Sequence, residues 1–293
     1  MHPLGSHAVP APGPRPPFAP AFLDPLLRHF LAEDLGDGDL TSRACFPDSG
    51  IHATAVIRSR EACTVSGVAV AARVFALTND GLHATPRVTD GARVKAGDAL
   101  LAVEGPIVAL LSAERVALNL LQRLCGVATM TARYVAAVAG TGAAICDTRK
   151  TTPGLRLLEK YAVRCGGGTS HRLGLFDGVL IKDNHVAACG SVAEAVACAR
   201  RHTPAGTPIE VEVETLTQLA EALDSGADVI LLDNMDVANL RAAVQEVAGR
   251  VPLEASGGVT LATVGRIAAT GVQYISVGAL THSAPAIDLS LEL

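Results

Sequence analysis

Lysine is scarce in this chain. Of 24 lysine and arginine residues only four are lysine: Lys95, Lys150, Lys160 and Lys182. No C-x-x-C pair occurs among the seven cysteines (Cys45, Cys63, Cys125, Cys146, Cys165, Cys189 and Cys198). An odd number without that spacing argues against a disulfide framework and reads as reduced core thiols of a cytoplasmic protein. No apolar run reaches the roughly 18 residues of a membrane span; the longest, from Cys63 to Leu77, is broken by Arg73 and by glycine. A basic stripe is also missing from a chain of net charge −5, which argues against a nucleic-acid surface. Residues 1–20 lack the basic start and apolar centre of a signal peptide. They hold seven of the sixteen prolines, so a disordered tail is expected there.

The 293 residues, 49% hydrophobic and 18% charged, suit one large or two ordinary globular domains. Residues 22–34 (FLDPLLRHFLAED) have helical spacing. Residues 51–110 differ: short β-rich runs (HATAVIRS, CTVSGVAV, HATPRVT, ALLAVEG, IVALL) predict a mainly antiparallel sheet with one helix near Val68 to Leu77. The stretch GARVKAGDALLAVEG is similar to half of a biotinyl- or lipoyl-type barrel, but Lys95 lacks the M-K-M setting of a modified hairpin lysine, so only sheet geometry is shared. A long helix is predicted over 113–139. Beyond it, apolar strands at 143–148, 178–181, 209–213, 228–233, 252–256 and 273–277 alternate with amphipathic helices, which means a parallel sheet covered on both faces.

A closed barrel and an open doubly wound sheet both fit that alternation. The polar residues favour the barrel, because all six strand ends carry them: Asp147-Thr148-Arg149-Lys150, Lys182-Asp183-Asn184, Glu212 with Glu214, Asp233-Asn234, Ser256-Gly257-Gly258 and Ser276-Val277-Gly278. Strand C-termini converge on one mouth only in a barrel. Three of the four lysines fall between Arg149 and Lys182, with Arg149, Arg156, Arg164, Arg172 and His171; against these seven lysines and arginines stand only Glu159 and Asp177. Lysine supplies a point charge and arginine a planar fork, so the segment suits a substrate with phosphates and carboxylates. Glycines after the last two strands suit a phosphate held by backbone N–H groups. Glu212 and Asp233 suit Mg²⁺ shared with substrate phosphates, or sugar hydroxyls. Glu210, Glu212 and Glu214 alternate with valine and share one face, where Lys150 and Lys182 could pair with them. Gly166-Gly167-Gly168, abutting His171 and Arg172, is expected to form a substrate-covering loop.

These motifs together resemble the quinolinate phosphoribosyltransferase family over residues 22–293. The resemblance rests on EDLGDGDLTS (33–42), AERVALNLLQRLCGVATMT (113–131), DTRKTTPGLRLLEKYAV (147–163), GGGTSHRLGLFDGVLIKDNH (166–185), EVEVETL (210–216), LLDNM (231–235), EASGGV (254–259) and ISVGALTHSAPAIDLSL (275–291). It implies an open-face α/β sandwich domain at 21–117, rejoined by the tail 284–293, and an incomplete six- or seven-stranded α/β barrel at 118–283. It implies transfer of phosphoribosyl from phosphoribosyl pyrophosphate to quinolinate with decarboxylation, in a homodimer, with Mg²⁺ and no organic cofactor. Arg149, His171 and Arg172 match the holders of the quinolinate carboxylates, and Arg115 matches an arginine donated by the partner chain. Lys150 and Lys182 match lysines near pyrophosphate and carboxylate. Glu212 and Asp233 match carboxylates near ribose and Mg²⁺. Ser256, Gly258 and Gly278 match the 5-phosphate site, with Thr148, Gly257 and Ser276 beside them; Arg156, Lys160 and Arg164 fall on the intervening helix, at a rim or a dimer contact. A same-fold relative that acts on another pyridine carboxylate, or is linked to metal transport, is the alternative; three arginines favour a dicarboxylate.

Overall fold

The computed structural model describes residues 1–5, 9, 11–12, 18–47 and 50–293. The first elements are α1 (Pro20–Leu35), α2 (Leu40–Cys45), β1 (His52–Ser59), β2 (Cys63–Thr64), α3 (Val68–Thr78), β3 (His83–Pro86), β4 (Arg93–Val94), β5 (Ala99–Pro106) and the 31-residue α4 (Ile107–Ala137). The alternating part follows as β6 (Ala144–Cys146), α5 (Arg156–Cys165), β7 (Val179–Ile181), α6 (Asp183–Cys189), α7 (Val192–His202), β8 (Ile209–Val213), α8 (Leu216–Asp224), β9 (Val229–Asp233), α9 (Val237–Val247), β10 (Leu253–Ser256), α10 (Val264–Ala268), β11 (Tyr274–Ser276), α11 (Ala279–His282) and β12 (Leu289–Glu292). Among the described residues no helix is long and apolar enough to cross a membrane.

Contacts divide the chain into two units, one of residues 9–130, 152–167 and 284–293 and the other of 1–8, 131–151 and 168–283. The first holds an antiparallel sheet in the order β12-β1-β5-β3, with β2 and β4 paired beside it. The returning C-terminal strand pairs Val56 with Glu292 through Ser59 with Leu289. Two expectations change here. The run IVALL is not a strand but the opening of α4. Pro106 ends β5 because it has no N–H for a ladder, and Leu110, Ala113, Ala117, Leu121, Leu124 and Ala128 are then buried at helical spacing. Five apolar residues alone do not separate the two periods. The expected boundary at 117/118 also moves: α4 stays with the first unit up to Met130, and so does α5, which the sequence pattern assigns to the barrel. Within the first unit, α5 is tied by the Tyr161 hydroxyl, which donates to Asp90 at 2.8 Å, and by Glu159, which accepts from Arg123 at 2.8 Å. Lys160 is wholly buried and so lies at no rim.

The tail docks along α4. The Arg123 guanidinium donates to the Ala284 carbonyl, Ile287 N–H to the Gln122 carbonyl, and the Gln122 amide to the Leu289 carbonyl. Gly126 sits at the closest approach, where an added Cβ would lie 2.0 Å from the Pro285 carbonyl oxygen. Main chain must move to admit a methyl group. Gly126→Ala is therefore expected to destabilise the protein by roughly 1–3 kcal/mol despite alanine's better helix propensity, read as a lower urea midpoint at unchanged slope.

The second unit holds the six-stranded parallel sheet, in the order β6-β11-β10-β9-β8-β7. All four leading residues of β9 (Val229, Ile230, Leu231 and Leu232) are buried, as in a strand covered on both faces. Three of the helices between strands, α7, α8 and α9, begin at side-chain caps. Ser191 accepts from Glu194 N–H, Thr215 from Gln218 N–H, and Asp236 from Asn239 N–H. The end strands β6 and β7 do not pair with each other, yet residues after both of them line one cavity with residues from the four strands between. The sheet is thus an incomplete barrel, with six strands.

Residues 6–8, 10 and 13–17 of the expected disordered tail lie outside the described residues. Met1–Gly5 differs from that expectation, since His2, Leu4 and Gly5 are buried within the second unit.

Candidate active site

The mouth of the barrel encloses a cavity of about 520 Å³, lined from every strand end. Thr148, Arg149 and Lys150 follow β6; Lys182 follows β7. Glu212 lies on β8, Asp233 and Asn234 end β9, Ser256, Gly257 and Gly258 end β10, and Ser276 ends β11; His171 and Arg172 come from the segment between α5 and β7. Twelve of the fourteen sequence-predicted site residues therefore share one cavity. Gly278 stands beside it, where an added Cβ would meet Lys150 Cδ at 3.0 Å. Arg115 does not line the cavity. It lies on α4, its guanidinium 3.7 Å from Glu114 and more than half of its side chain exposed.

Local hydrogen bonds set each group. Lys150 is anchored through its backbone: its N–H donates to Thr148 Oγ1 (3.0 Å) and its carbonyl accepts from Thr281 Oγ1 (2.8 Å), which leaves the ammonium to the cavity. Lys182 caps α6, its N–H donating to His185 Nδ1 (2.9 Å), while its ammonium pairs with Glu212. Asn234 has a left-handed backbone (φ 54°). Its N–H donates to the Ser256 carbonyl (2.9 Å) and its amide to Asp233 Oδ2 (2.7 Å). Gly257 and Gly258 also have positive φ (92° and 58°), a conformation that bares backbone at the cavity wall. Asn234 carries no signal of its own in the sequence beyond its place after Asp233.

The 168–172 segment is not a free covering loop. Gly166 ends α5 with its N–H bonded to the Ala162 carbonyl, Thr169 forms a β-bridge with Cys146, and the buried Asp147 accepts His171 N–H at 3.0 Å. His171 Nδ1 accepts Arg172 N–H (2.7 Å), which leaves the ring proton on Nε2, facing Glu210 Oε2 at 2.8 Å. His171 thus reaches a bound carboxylate only by exchanging its Glu210 partner. Arg172 is buried and donates to the Gly178 carbonyl (2.9 Å). Burial, and the nearby Arg149 charge, lower its pKa, but a guanidinium stays cationic at any physiological pH. Arg149 and Arg172 are like charges that both line the cavity, close enough for one to lower the pKa of the other.

The alternating glutamates divide. Glu212 faces the cavity with Lys182 as partner, Glu214 is exposed beyond β8, and Glu210 is wholly buried beneath the cavity, with His171 and His2 rather than a lysine beside it. Glu254, equally buried, accepts from Ser276 Oγ and lies 2.5 Å from His2 Nε2. Burial, and the charge of Glu254, push the Glu210 carboxyl well above the usual carboxylate range. Burial acts the same way on Glu254, but the His2 hydrogen bond and the two imidazoles outweigh it and hold that carboxyl low.

A barrel whose strand ends gather two lysines, two arginines and bare glycine backbone around one cavity defines an enzyme acting on polyanionic small molecules. Residues 127–292 match the C-terminal domain of quinolinate phosphoribosyl transferase and residues 39–125 its N-terminal domain; the chain belongs to that family. A probable carboxylating nicotinate-nucleotide pyrophosphorylase of Bacillus subtilis is 46% identical over 271 residues, covering 92% of this chain and 93% of that one. The carboxylating nicotinate-nucleotide pyrophosphorylase of Mycobacterium leprae is 48% identical over 91% of this chain and 95% of its own. The crystal structure of NadC from Streptococcus pyogenes superposes with a TM-score of 0.91 at 42% identity, covering 94% of this chain and 97% of that one.

Proposed function

We propose that the chain transfers phosphoribosyl from phosphoribosyl pyrophosphate to quinolinate, releasing pyrophosphate and CO₂ and giving nicotinate mononucleotide, a step of pyridine nucleotide synthesis. The observation that carries this reading is the meeting of Arg149, Arg172, Lys150 and Lys182 with the Gly257-Gly258 backbone in one cavity of a member of this family. The arginines hold the two carboxylates of quinolinate, the lysines face the pyrophosphate, and Ser256, Gly257, Gly258, Ser276 and Gly278 surround the 5-phosphate.

The pyridine nitrogen attacks ribose C1 as the C1–O bond to pyrophosphate breaks. Lys150 and Lys182 stabilise the negative charge that builds on the leaving group, while Glu212 and Asp233 face the cationic ribose. The bond from ring to 2-carboxylate then breaks, CO₂ leaves, and its electron pair is received by the pyridinium ring before a proton replaces it; no organic cofactor is required. Glu212 and Asp233 are two carboxylates on adjacent strands at the cavity wall. That donor set fits a Mg²⁺ completed by substrate oxygens and water, not a closed protein cage. Such an ion would neutralise phosphate charge. We assign the Arg115 position to the cavity of a partner chain in a homodimer, and the seven free cysteines fit the reducing cytoplasm.

The direct test supplies purified protein with phosphoribosyl pyrophosphate, Mg²⁺ and either quinolinate or nicotinate. Nicotinate mononucleotide and CO₂ are expected from quinolinate; activity with nicotinate alone, without CO₂ from quinolinate, would refute the assignment. Lys150→Ala is expected to cut turnover by about 100-fold, as a lost charged contact in the transition state does, with quinolinate affinity changed far less. Stopped-flow kinetics separates the two, and unchanged turnover would remove Lys150 from the pyrophosphate role.

A further inference from the structure

The segment Met1–Gly5 packs against residues that line the cavity, among them His171 and Glu254. The Met1 carbonyl accepts from the Tyr274 hydroxyl at 3.0 Å, and Leu4 is buried against Gly178, where an added Cβ would lie 3.1 Å from Leu4 Cδ2. Gly5 leaves no room for a side chain: its Cβ would stand 2.7 Å from the Ser170 carbonyl oxygen. His2 is wholly enclosed, its ring 4.6 Å from Tyr274 edge-on and 4.6 Å from His171 at a 30° tilt.

The Nε2 atoms of His2 and His171 face carboxylate oxygens of Glu210 and Glu254, and four potential metal-binding atoms converge within 4.8 Å. The tautomers argue against a metal. His2 Nδ1 accepts Leu4 N–H (3.1 Å) as His171 Nδ1 accepts Arg172 N–H, so each ring carries its proton on the nitrogen that would have to ligate. The cluster is instead a set of close histidine–carboxylate contacts, in which His171 Nε2 hydrogen-bonds Glu210 and His2 Nε2 makes an ion-pair contact with Glu254. Two wholly buried carboxylates need donors. The His171 Nε2 lies 2.8 Å from Glu210 but 4.0 Å from Glu254, whose other oxygen is 2.5 Å from His2 Nε2. Glu254, Ser276, His171 and Arg172 all line the cavity, whereas His2 does not, so it supports the site from below and does not obstruct it.

We propose that His2 is a positioning residue of the substrate site, whose close contact with Glu254 leaves His171 to serve Glu210 and so holds Arg172 in place for an anionic ring substrate. The substrate's identity as quinolinate rests on the function proposed above. Without His2, Glu254 keeps only the Ser276 hydroxyl beside it and draws the His171 N–H, 4.0 Å away, from Glu210, so the backbone that His171 anchors at Arg172 shifts.

The test compares the full chain with His2→Ala and His2→Gln, whose amide N–H₂ can donate in place of the imidazole. In ¹⁵N-histidine-labelled protein, the His171 signals, assigned through His171→Gln, are expected to show one Nε2–H tautomer in the parent, to change in His2→Ala, and to return in His2→Gln. Steady-state kinetics should show the KM for quinolinate raised about 10-fold in His2→Ala, the scale of one weakened charged hydrogen bond, with the KM for phosphoribosyl pyrophosphate unchanged and rescue in His2→Gln. An unchanged His171 spectrum, an unchanged or lowered quinolinate KM, or equal rises in both KM values would overturn the proposal. The spectrum needs no turnover, so a parent protein inactive on quinolinate would refute the function while the His2 contact is still judged.

Discussion

Chains carrying Arg115→Ala, mixed with chains carrying Lys182→Ala, are expected to regain activity that neither has alone. Lys182→Ala removes a cation from the cavity and leaves Glu212, with only 14% of its side chain exposed, without its partner where a polyanion must bind. An unpaired charge of that kind costs more than the lost contact, and activity should fall at least about 100-fold. Arg115→Ala leaves that cavity untouched in its own chain, yet should be as damaging if its guanidinium completes the site of a partner. In a mixed dimer one site then has both defects and the other has neither. Random exchange makes half the dimers mixed, so recovery approaches about a quarter of the parent activity. Native mass spectrometry can verify exchange. A mixture no more active than its separate components would remove Arg115 from the shared site.

Gly257→Ala should be nearly as severe, through geometry alone. Its φ of 92° disfavours any side chain, and an added Cβ would lie 2.1 Å from Asn234 Oδ1 and 2.8 Å from Asn234 N. The second contact is with main chain, so rotating the asparagine side chain does not relieve it. Relief requires moving either the end of β9, with Asp233, or the Gly257-Gly258 turn. The KM for phosphoribosyl pyrophosphate is expected to rise by about 100-fold or more, since a shift near 1 Å at a positioned site costs that much, while quinolinate binding at Arg149 and Arg172 survives. Calorimetry with each substrate separately reads both effects. Equal weakening of both would place the turn away from the phosphate.

Much of this site is legible in the sequence because a parallel barrel writes itself simply. Strands such as Val229–Leu232 are buried on both faces and read as apolar runs, and the first polar residue after each run belongs to the mouth. Asp233, Lys182 and Ser256 are found that way. What the sequence hides depends on partners distant along the chain. The proline-rich composition of residues 1–20 reads as disorder, and nothing near His2 announces that Glu210 and Glu254 await it. The alternation at 210–214 shows that the glutamates share a face, but not that one meets a lysine and the next two histidines. IVALL failed for a local reason: five residues carry no period, and only the following turns of α4 decide it. The segment around Lys160 reads as basic surface because composition does not report depth.

The pairing of β1 with β12 also constrains how the protein is made. Val56 waits for Glu292, 236 positions later, so at roughly 5–20 residues per second the edge of β1 emerges about 10–50 s before its partner exists. Throughout that interval an unsatisfied strand edge is open to other nascent chains. Yield in cells should therefore respond to chaperone supply and translation speed more than equilibrium stability would suggest, and loss of the last few residues should appear first as insoluble protein rather than as a slower enzyme.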